Sequence, residues 1–301
     1  MESVVTFREV SKIFKEKKAV DQVSFSINKG ETVAILGPNG AGKTTTLMMM
    51  LGLMKASTGK VELFQRSAAD HEIRERIGVM LQEVSMIDAL KVHEVIKLFR
   101  SYYKNPLSYE ELVSISGLEP KQMKKMANKL SGGQKRRLNF ALALAGNPDI
   151  LFLDEPTVGM DISSRRQFWE TIEHLKKQGK TIIFTTHYLQ EADEIADRII
   201  LFANGIVIAD GTPQSIKAGL TKKTLSFDMN ADISIEELQQ YEVITTVFIR
   251  NNRVMISTED TDEVLNLLYE KKIPIKNVSI EQGKLEEAFE VLTAQKEEVQ
   301  Q

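Results

Sequence analysis

Gly37-Pro38-Asn39-Gly40-Ala41-Gly42-Lys43-Thr44 lies directly after an apolar run, Thr32–Leu36, and directly before a helical run, Thr45–Leu53. Two glycines bracket four residues and are followed by Lys and Thr, which is the spacing of a phosphate-binding loop. The strand before it and the helix after it are the context such a loop requires. Gly37, Gly40 and Gly42 admit backbone turns closed to residues with side chains. Successive N–H groups can then point inward at phosphate oxygens, and the N-terminus of the following helix adds partial positive charge. Lys43 offers a full positive charge to the β- and γ-phosphates, and Thr44 a hydroxyl to Mg2+. An ordinary Gly-rich turn explains neither the Lys-Thr pair nor the flanks. Met48–Met50 in the helical run read as core filler, not as a metal site.

Further compact apolar runs occur at Val33–Leu36, Ile77–Leu81, Ile150–Leu153, Thr181–Thr185 and Ile199–Phe202. Such runs are expected of strands buried on both faces of a mostly parallel sheet. Val4–Val10 and Val23–Ile27 alternate and predict an antiparallel edge. Helical periodicity marks Ile162–Lys177 and the segment after Gly133. A polar, helix-rich block, bounded at about residues 85–145, interrupts the strand alternation and predicts an inserted helical subdomain. The fold class expected is α/β, a P-loop NTPase core over residues 1–220. Near Lys217–Thr224 the pattern changes, and residues 221–301 predict a small α+β domain. Its strands are expected at Leu225–Met229, Val243–Ile249, Val254–Ser257 and Ile275–Ile280, with helices at Glu263–Glu270 and Leu285–Thr293.

Composition excludes several classes. The 301 residues carry a net charge of -3, which gives no electrostatic case for nucleic acid as a partner. Cysteine is absent, so disulfides, thiolate metal sites and cysteine nucleophiles are excluded. His71, His93, His174 and His187 are scattered without metal-ligand spacing. The start, MESVVTFREV, has no basic segment followed by an apolar run, so no secretory signal is expected. No stretch reaches the roughly 18 apolar residues of a membrane helix. Any link to a membrane is therefore expected to run through another chain.

Two more motifs carry chemistry. Ile150–Leu153 ends in Asp154-Glu155-Pro156. Beside a phosphate cradle, one carboxylate is needed near Mg2+ and another to orient or deprotonate the attacking water. Asp154 is the metal-side candidate and Glu155 the candidate general base. Leu130-Ser131-Gly132-Gly133-Gln134 opens a second helix. Ser131 reads equally as an N-cap. The glycine pair disfavours a helix start yet allows close backbone approach to a ligand or partner.

With these residues in place the chain resembles the nucleotide-binding domain of ABC transporters over residues 2–220. LSGGQ at 130–134 matches the signature of that family, and six motifs occur in its order: residues 37–44, Gln82, the signature, 150–155, Asp161 and Thr185-Thr186-His187. The resemblance implies an ATPase that binds ATP along Gly37, Pro38, Asn39, Gly40, Ala41, Gly42, Lys43, Thr44 and Thr45. It implies that Phe14 stacks on adenine and that Gln82 contacts Mg2+ or the attacking water. Asp161 is placed in the D-loop and His187 near the γ-phosphate, with Glu155, His187 and Gln82 catalytic. Ser131, Gly132, Gly133 and Gln134 then bind the nucleotide held by a second chain, in a head-to-tail homodimer or a heterodimer with a related ATPase. On residues alone, Gln82 could be a surface residue, Phe14 a packed edge residue and His187 a capping or core residue. Val158-Gly159-Met160-Asp161 departs from the Ser-Ala-Leu-Asp of many relatives.

The tail, Asn277 to Phe289, is similar to that of bacterial drug, antibiotic-peptide and lipid exporter ATPases. The resemblance therefore implies a peripheral subunit at the cytoplasmic face of a bacterial membrane. There it drives a permease carried on a separate chain. A soluble, non-transporting ABC ATPase and a purely regulatory nucleotide binder are the alternatives.

Overall fold

The computed structural model describes residues 2–82, 87–218, 222–228, 235–250, 252–281, 283, 285, 287–289 and 292, without the side chains of 236 and 237. The chain divides into two compact units, Met1–Thr212 and Pro213–Gln301.

In the first unit, β1 (Ser3–Phe14) and β2 (Lys17–Asn28) form a long antiparallel pair. Then come β3 (Thr32–Leu36), α1 (Lys43–Met50), β4 (Thr58–Leu63), β5 (Arg66–Ser67) and β6 (Ile77–Met80). The helical block follows: α2 (Val92–Ser101), α3 (Tyr109–Ser116), α4 (Pro120–Met123) and α5 (Gly132–Ala143). The chain returns to β7 (Ile150–Asp154), α6 (Ile162–Lys177), β8 (Thr181–Thr185), α7 (Leu189–Ile195), β9 (Arg198–Ala203) and β10 (Ile206–Gly211).

The central sheet has six strands in the order β10-β9-β3-β8-β7-β6. All neighbours are parallel except β10, which runs antiparallel to β9. Every residue of β3, β7 and β8 is buried, which is why these strands read as unbroken apolar runs. β1 and β2 alternate and build a second, antiparallel sheet, ordered β2-β1-β4-β5. One core joins the two sheets: Phe7 stacks on Phe25 at 4.6 Å, and Phe25 meets Phe202 of β9 edge-on. Leu47, Met49 and Met50 of α1 fill the same core. β3 and β7, parallel members of one sheet, thus deliver the phosphate-loop residues and Asp154 to the same, C-terminal, edge.

Capping sets the helix starts. Ser108 and Glu111 satisfy each other's backbone N–H groups at the start of α3, and Gly117 in the left-handed region ends it. Asp161 caps α6. Phe168, Trp169, Ile172 and Leu175 give α6 one buried stripe, with Phe168 against Phe140 of α5 at 4.5 Å and Trp169 against Phe184 of β8 at 5.1 Å.

The second unit holds α8 (Pro213–Lys217), β11 (Lys223–Asp228), α9 (Ile235–Leu238), β12 (Thr246–Arg250), β13 (Arg253–Thr258), α10 (Thr261–Glu270) and β14 (Ser279–Glu281). Its antiparallel sheet is ordered β12-β13-β11-β14, the split βαβ arrangement of ferredoxin-like folds. Leu225, Phe227, Val254 and Ile256 pack under Val264 and Leu268 of α10. The strand expected over Ile275–Ile280 is confined to Ser279–Glu281. Pro274 has no N–H to give a ladder, and Asn277 takes a φ of 52°. Met229 and residues 286, 290, 291 and 293 of the helix expected at Leu285–Thr293 lie outside the described residues, and the other residues of that stretch are helical.

Candidate active site

The loop after β3 turns through left-handed backbone at Gly40 (φ 81°) and Gly42 (φ 104°). Close approach also requires the glycines: a Cβ on Gly37 would lie 2.3 Å from the Phe202 carbonyl oxygen, and one on Gly42 2.5 Å from that of Ala19. α1 starts at Gly42 with no side-chain cap and no acid in its first turn. Its opening N–H groups therefore keep their donor capacity and their partial positive charge for a ligand.

This loop forms one wall of a cavity of about 360 Å³, lined by Phe14, Lys17, Ala19, Asn39, Gly40, Gly42, Lys43, Thr44, Thr45, Gln82, Asp154 and Glu155. Phe14, 46% exposed, ends β1 at its rim, with the Lys12 ammonium 5.1 Å from the ring centroid. Lys43 Nζ donates to the carbonyls of Gly37 at 2.7 Å and Pro38 at 3.0 Å. Burial lowers its pKa, while the charges of Glu155 and Asp154 pull the other way.

Asp154 closes β7 and is only 4% exposed. Burial raises its pKa, the Thr185 hydroxyl opposes this, and the Glu155 charge adds to the rise. That hydroxyl sits at a junction: Thr185 Oγ1 donates to Asp154 Oδ1 at 2.5 Å and accepts from the Glu155 N–H at 3.0 Å. Glu155 itself takes a φ of 48°. A non-glycine residue held there costs about 1–3 kcal/mol and needs surroundings that over-determine it. Arg136 of α5 supplies part of that restraint, donating to the carbonyls of Glu155 and, at 2.8 Å, Pro156. On the side-chain end, His187 Nδ1 lies 2.7 Å from Glu155 Oε2.

The structure therefore gathers Phe14, Asn39, Gly40, Gly42, Lys43, Thr44, Thr45, Gln82, Asp154 and Glu155 around one cavity, and attaches His187 through Glu155. Gly37 and Pro38 meet it through Lys43, and Ala41 is core. The chain following Gln82, residues 83–86, lies outside the described residues. Ser131, Gly132, Gly133, Gln134 and Asp161 do not line the cavity. Ser131 and Gln134 cap α5 reciprocally at 3.3 and 3.1 Å. Asp161 accepts from the Ser164 N–H and from the hydroxyls of Ser163 and Ser164, which hold its carboxyl well below the usual range. Lys17, Ala19, Thr185 and Arg136 are contributors that motif reading does not single out. Thr185 stands inside the quoted Thr185-Thr186-His187 run without a role of its own there, and Arg136 lies two residues past the quoted 130–134 motif.

Such a site can hold a polyphosphate against backbone N–H groups and Lys43, and can present a carboxylate to water. Its oxygen donors suit Mg2+: the Thr44 hydroxyl, the Gln82 amide and a buried Asp154 carboxylate held by the Thr185 hydroxyl.

Residues 20–158 match the family model described as ABC transporter. "Nod factor export ATP-binding protein I" of Burkholderia lata is 40% identical over 220 residues, covering 70% of this chain and 72% of the relative. The protein of the same name from Neorhizobium galegae is 37% identical over 218 residues, covering 70% of this chain and 63% of the relative. A dimeric ATP-binding cassette, solved in a post-hydrolysis state with ADP and Pi, superposes with a TM-score of 0.64 at 29% identity, covering 69% of this chain and 98% of that one. A Clostridium perfringens protein, part of an ABC transporter complex, superposes with a TM-score of 0.63 at 26% identity, covering 73% and 92%. Sequence and fold together place the chain in the ABC transporter family, as an ATP-binding and ATP-hydrolysing cassette.

Proposed function

We propose that the chain is the ATPase subunit of a bacterial exporter, working as a pair at the cytoplasmic face of the membrane on a permease carried by another chain. The single observation that carries the catalytic part is the shared cavity of Lys43, Thr44, Gln82, Asp154 and Glu155. Export is supported by the relatives named for Nod factor export and by the resemblance of the tail. The cargo class proposed is a drug, antibiotic peptide or lipid-like compound. No described helix is long and apolar enough to cross a membrane, and this reading assigns the permease to another chain.

In this reading Phe14 stacks on the base and the backbone from Gly37 to Thr45 cradles the phosphates. Lys43 leaves its carbonyl partners for the β- and γ-phosphates. Thr44, Gln82 and Asp154 would hold Mg2+, which would supply positive charge against the phosphate oxygens. Glu155 orients water and takes its proton, while His187 steadies the Glu155 carboxylate and reaches toward the γ-phosphate. Ser131, Gly132, Gly133 and Gln134 close over the nucleotide of the second chain, with Asp161 at the same junction. A Cβ built on Gly133 would lie 3.9 Å from the Gly159 carbonyl oxygen, so the start of α5 and the turn before α6 are neighbours on one surface. Ile162 beside Asp161 is 89% exposed there, an apolar side chain that a second chain would cover. Closure favoured by γ-phosphate contacts and lost with that phosphate gives the differential affinity that a switch requires.

The test is a pull-down from detergent extract with phosphate release measured on the purified complex. The reading expects a multi-helix membrane protein and Mg-ATP hydrolysis. Hydrolysis with no membrane partner would favour the soluble ATPase instead.

A further inference from the structure

Glu191, in the first turn of α7, is one of the few buried carboxylates of the first unit and does not line the cavity. It is 7% exposed, and both its oxygens are engaged. Oε1 accepts from the Thr157 hydroxyl at 2.7 Å, and Oε2 from the Thr186 hydroxyl at 2.9 Å. Arg165 Nε lies 3.6 Å from Oε1 and supplies the counter-charge, its guanidinium resting over the Tyr188 ring. Both threonines are almost fully buried, and Thr186 Oγ1 also accepts from the Tyr188 N–H at 3.0 Å.

The positions of these two threonines give the bridge its meaning. Thr157 is two residues beyond Glu155, and Thr186 immediately precedes His187. One carboxylate therefore ties together the two segments that carry the 2.7 Å Glu155–His187 contact. An ionised carboxylate is acceptor-only, so two converging hydroxyl donors match it on both oxygens. Thr185 and Arg136 already hold the strained backbone of Glu155 from the sheet and from α5. Glu191 completes the restraint from the His187 side. We propose that Glu191 is a positioning residue for hydrolysis, holding Glu155 and His187 in register through Thr157 and Thr186. This rests on the reading of Glu155 as the group that acts on water.

The experiment compares Glu191→Ala, Glu191→Gln, Thr157→Val and Thr186→Val with wild type and with Glu155→Gln in the purified full chain. Steady-state phosphate release gives kcat and KM, a fluorescent ATP analogue gives Kd, and a melting curve reports folding. Glu191→Ala is expected to lower kcat about 10- to 100-fold, the usual cost of loosening a supported catalytic group, with KM and Kd within about twofold. Glu191→Gln keeps one acceptor and a donor that a rotated threonine hydroxyl can meet, so it is expected to recover most of kcat. In a His187→Ala background the Glu191→Ala loss is expected to shrink to about twofold, because coupled residues are not additive. An unchanged kcat in Glu191→Ala overturns the proposal. So does a kcat loss matched by lost ATP binding, or a full loss that persists without His187. Should Glu191→Ala not fold, Thr157→Val and Thr186→Val decide the matter: kcat unchanged in both overturns it. If Glu155→Gln hydrolyses at the wild-type rate, the reading of Glu155 has failed. If Glu155→Gln is inactive while Glu191→Ala is normal, only the positioning role has failed.

Discussion

Gly132→Ala would place a methyl group in open space: a Cβ there meets nothing within 4 Å. At Gly133 the nearest atom to such a Cβ is the Gly159 carbonyl oxygen at 3.9 Å, an ordinary contact. Neither residue has a positive φ, and both stand in the first turn of α5. Alanine can take the same backbone while reducing the freedom of the unfolded chain, so each substitution should stabilise by about 0.4–1 kcal/mol. In a unit of this size that corresponds to roughly 1–4 °C in Tm. Neither Cβ space nor backbone conformation among the described residues requires glycine at these two positions. If a second chain's nucleotide approaches this turn, the added methyl stands where backbone should meet phosphate, and hydrolysis should fall together with ATP-driven pairing. The assay is a melting curve beside phosphate release on Gly132→Ala and Gly133→Ala. A higher Tm with hydrolysis lost is the expected result. A higher Tm with full activity would refute the partner-facing role, and a lower Tm would refute the steric reasoning.

Lys43→Ala removes a cation whose bonds to phosphate are worth about 1.5–3 kcal/mol, so equilibrium binding should show ATP affinity down about 10- to 100-fold; unchanged affinity contradicts the cradle. Asp154, its pKa raised mainly by burial, holds a proton in the folded chain at a pH where the unfolded chain has lost it. Its contribution to stability is thus full below the unfolded value and lost as pH rises through the folded one. Asp154→Asn in metal-free buffer should therefore melt above wild type at neutral pH, with the gap closing toward the ordinary carboxylate range, and should not hydrolyse ATP. A lower Tm at neutral pH would show that the burial cost is offset elsewhere. A chain ending at Thr212, the boundary of the first compact unit, should stay folded and hydrolyse ATP; an insoluble product would show that the remaining residues are needed for stability.

Legibility in the sequence followed burial. β3, β7 and β8 have both faces covered, so their apolar runs stand out, and Ile162–Lys177 reads as a helix because one stripe packs against Phe140 and Phe184. β4, exposed over its first half, and β10, half-buried apart from an exposed Asp210, carry no such contrast and do not stand out in the sequence. In the second unit, Val243–Ile249 and Ile275–Ile280 looked like strands by composition, yet the ladders begin later, at Thr246 and Ser279. The phosphate loop was readable because its chemistry is contiguous in the chain. Arg136 and Glu191 were not, because their partners are brought close by the fold: Glu191 meets Thr157 across 34 residues.

If ATP is held between two copies of this chain and hydrolysed with Glu155, a variant that binds but cannot hydrolyse should trap the pair. Glu155→Gln keeps the shape of the side chain and removes its basicity. The most direct measurement is the mass of Glu155→Gln in solution, with and without Mg-ATP, by size exclusion with light scattering. The expected result is a monomer that becomes a persistent dimer on adding Mg-ATP, with almost no phosphate released. A variant that stays monomeric at saturating ATP, or that hydrolyses at the wild-type rate, would contradict it.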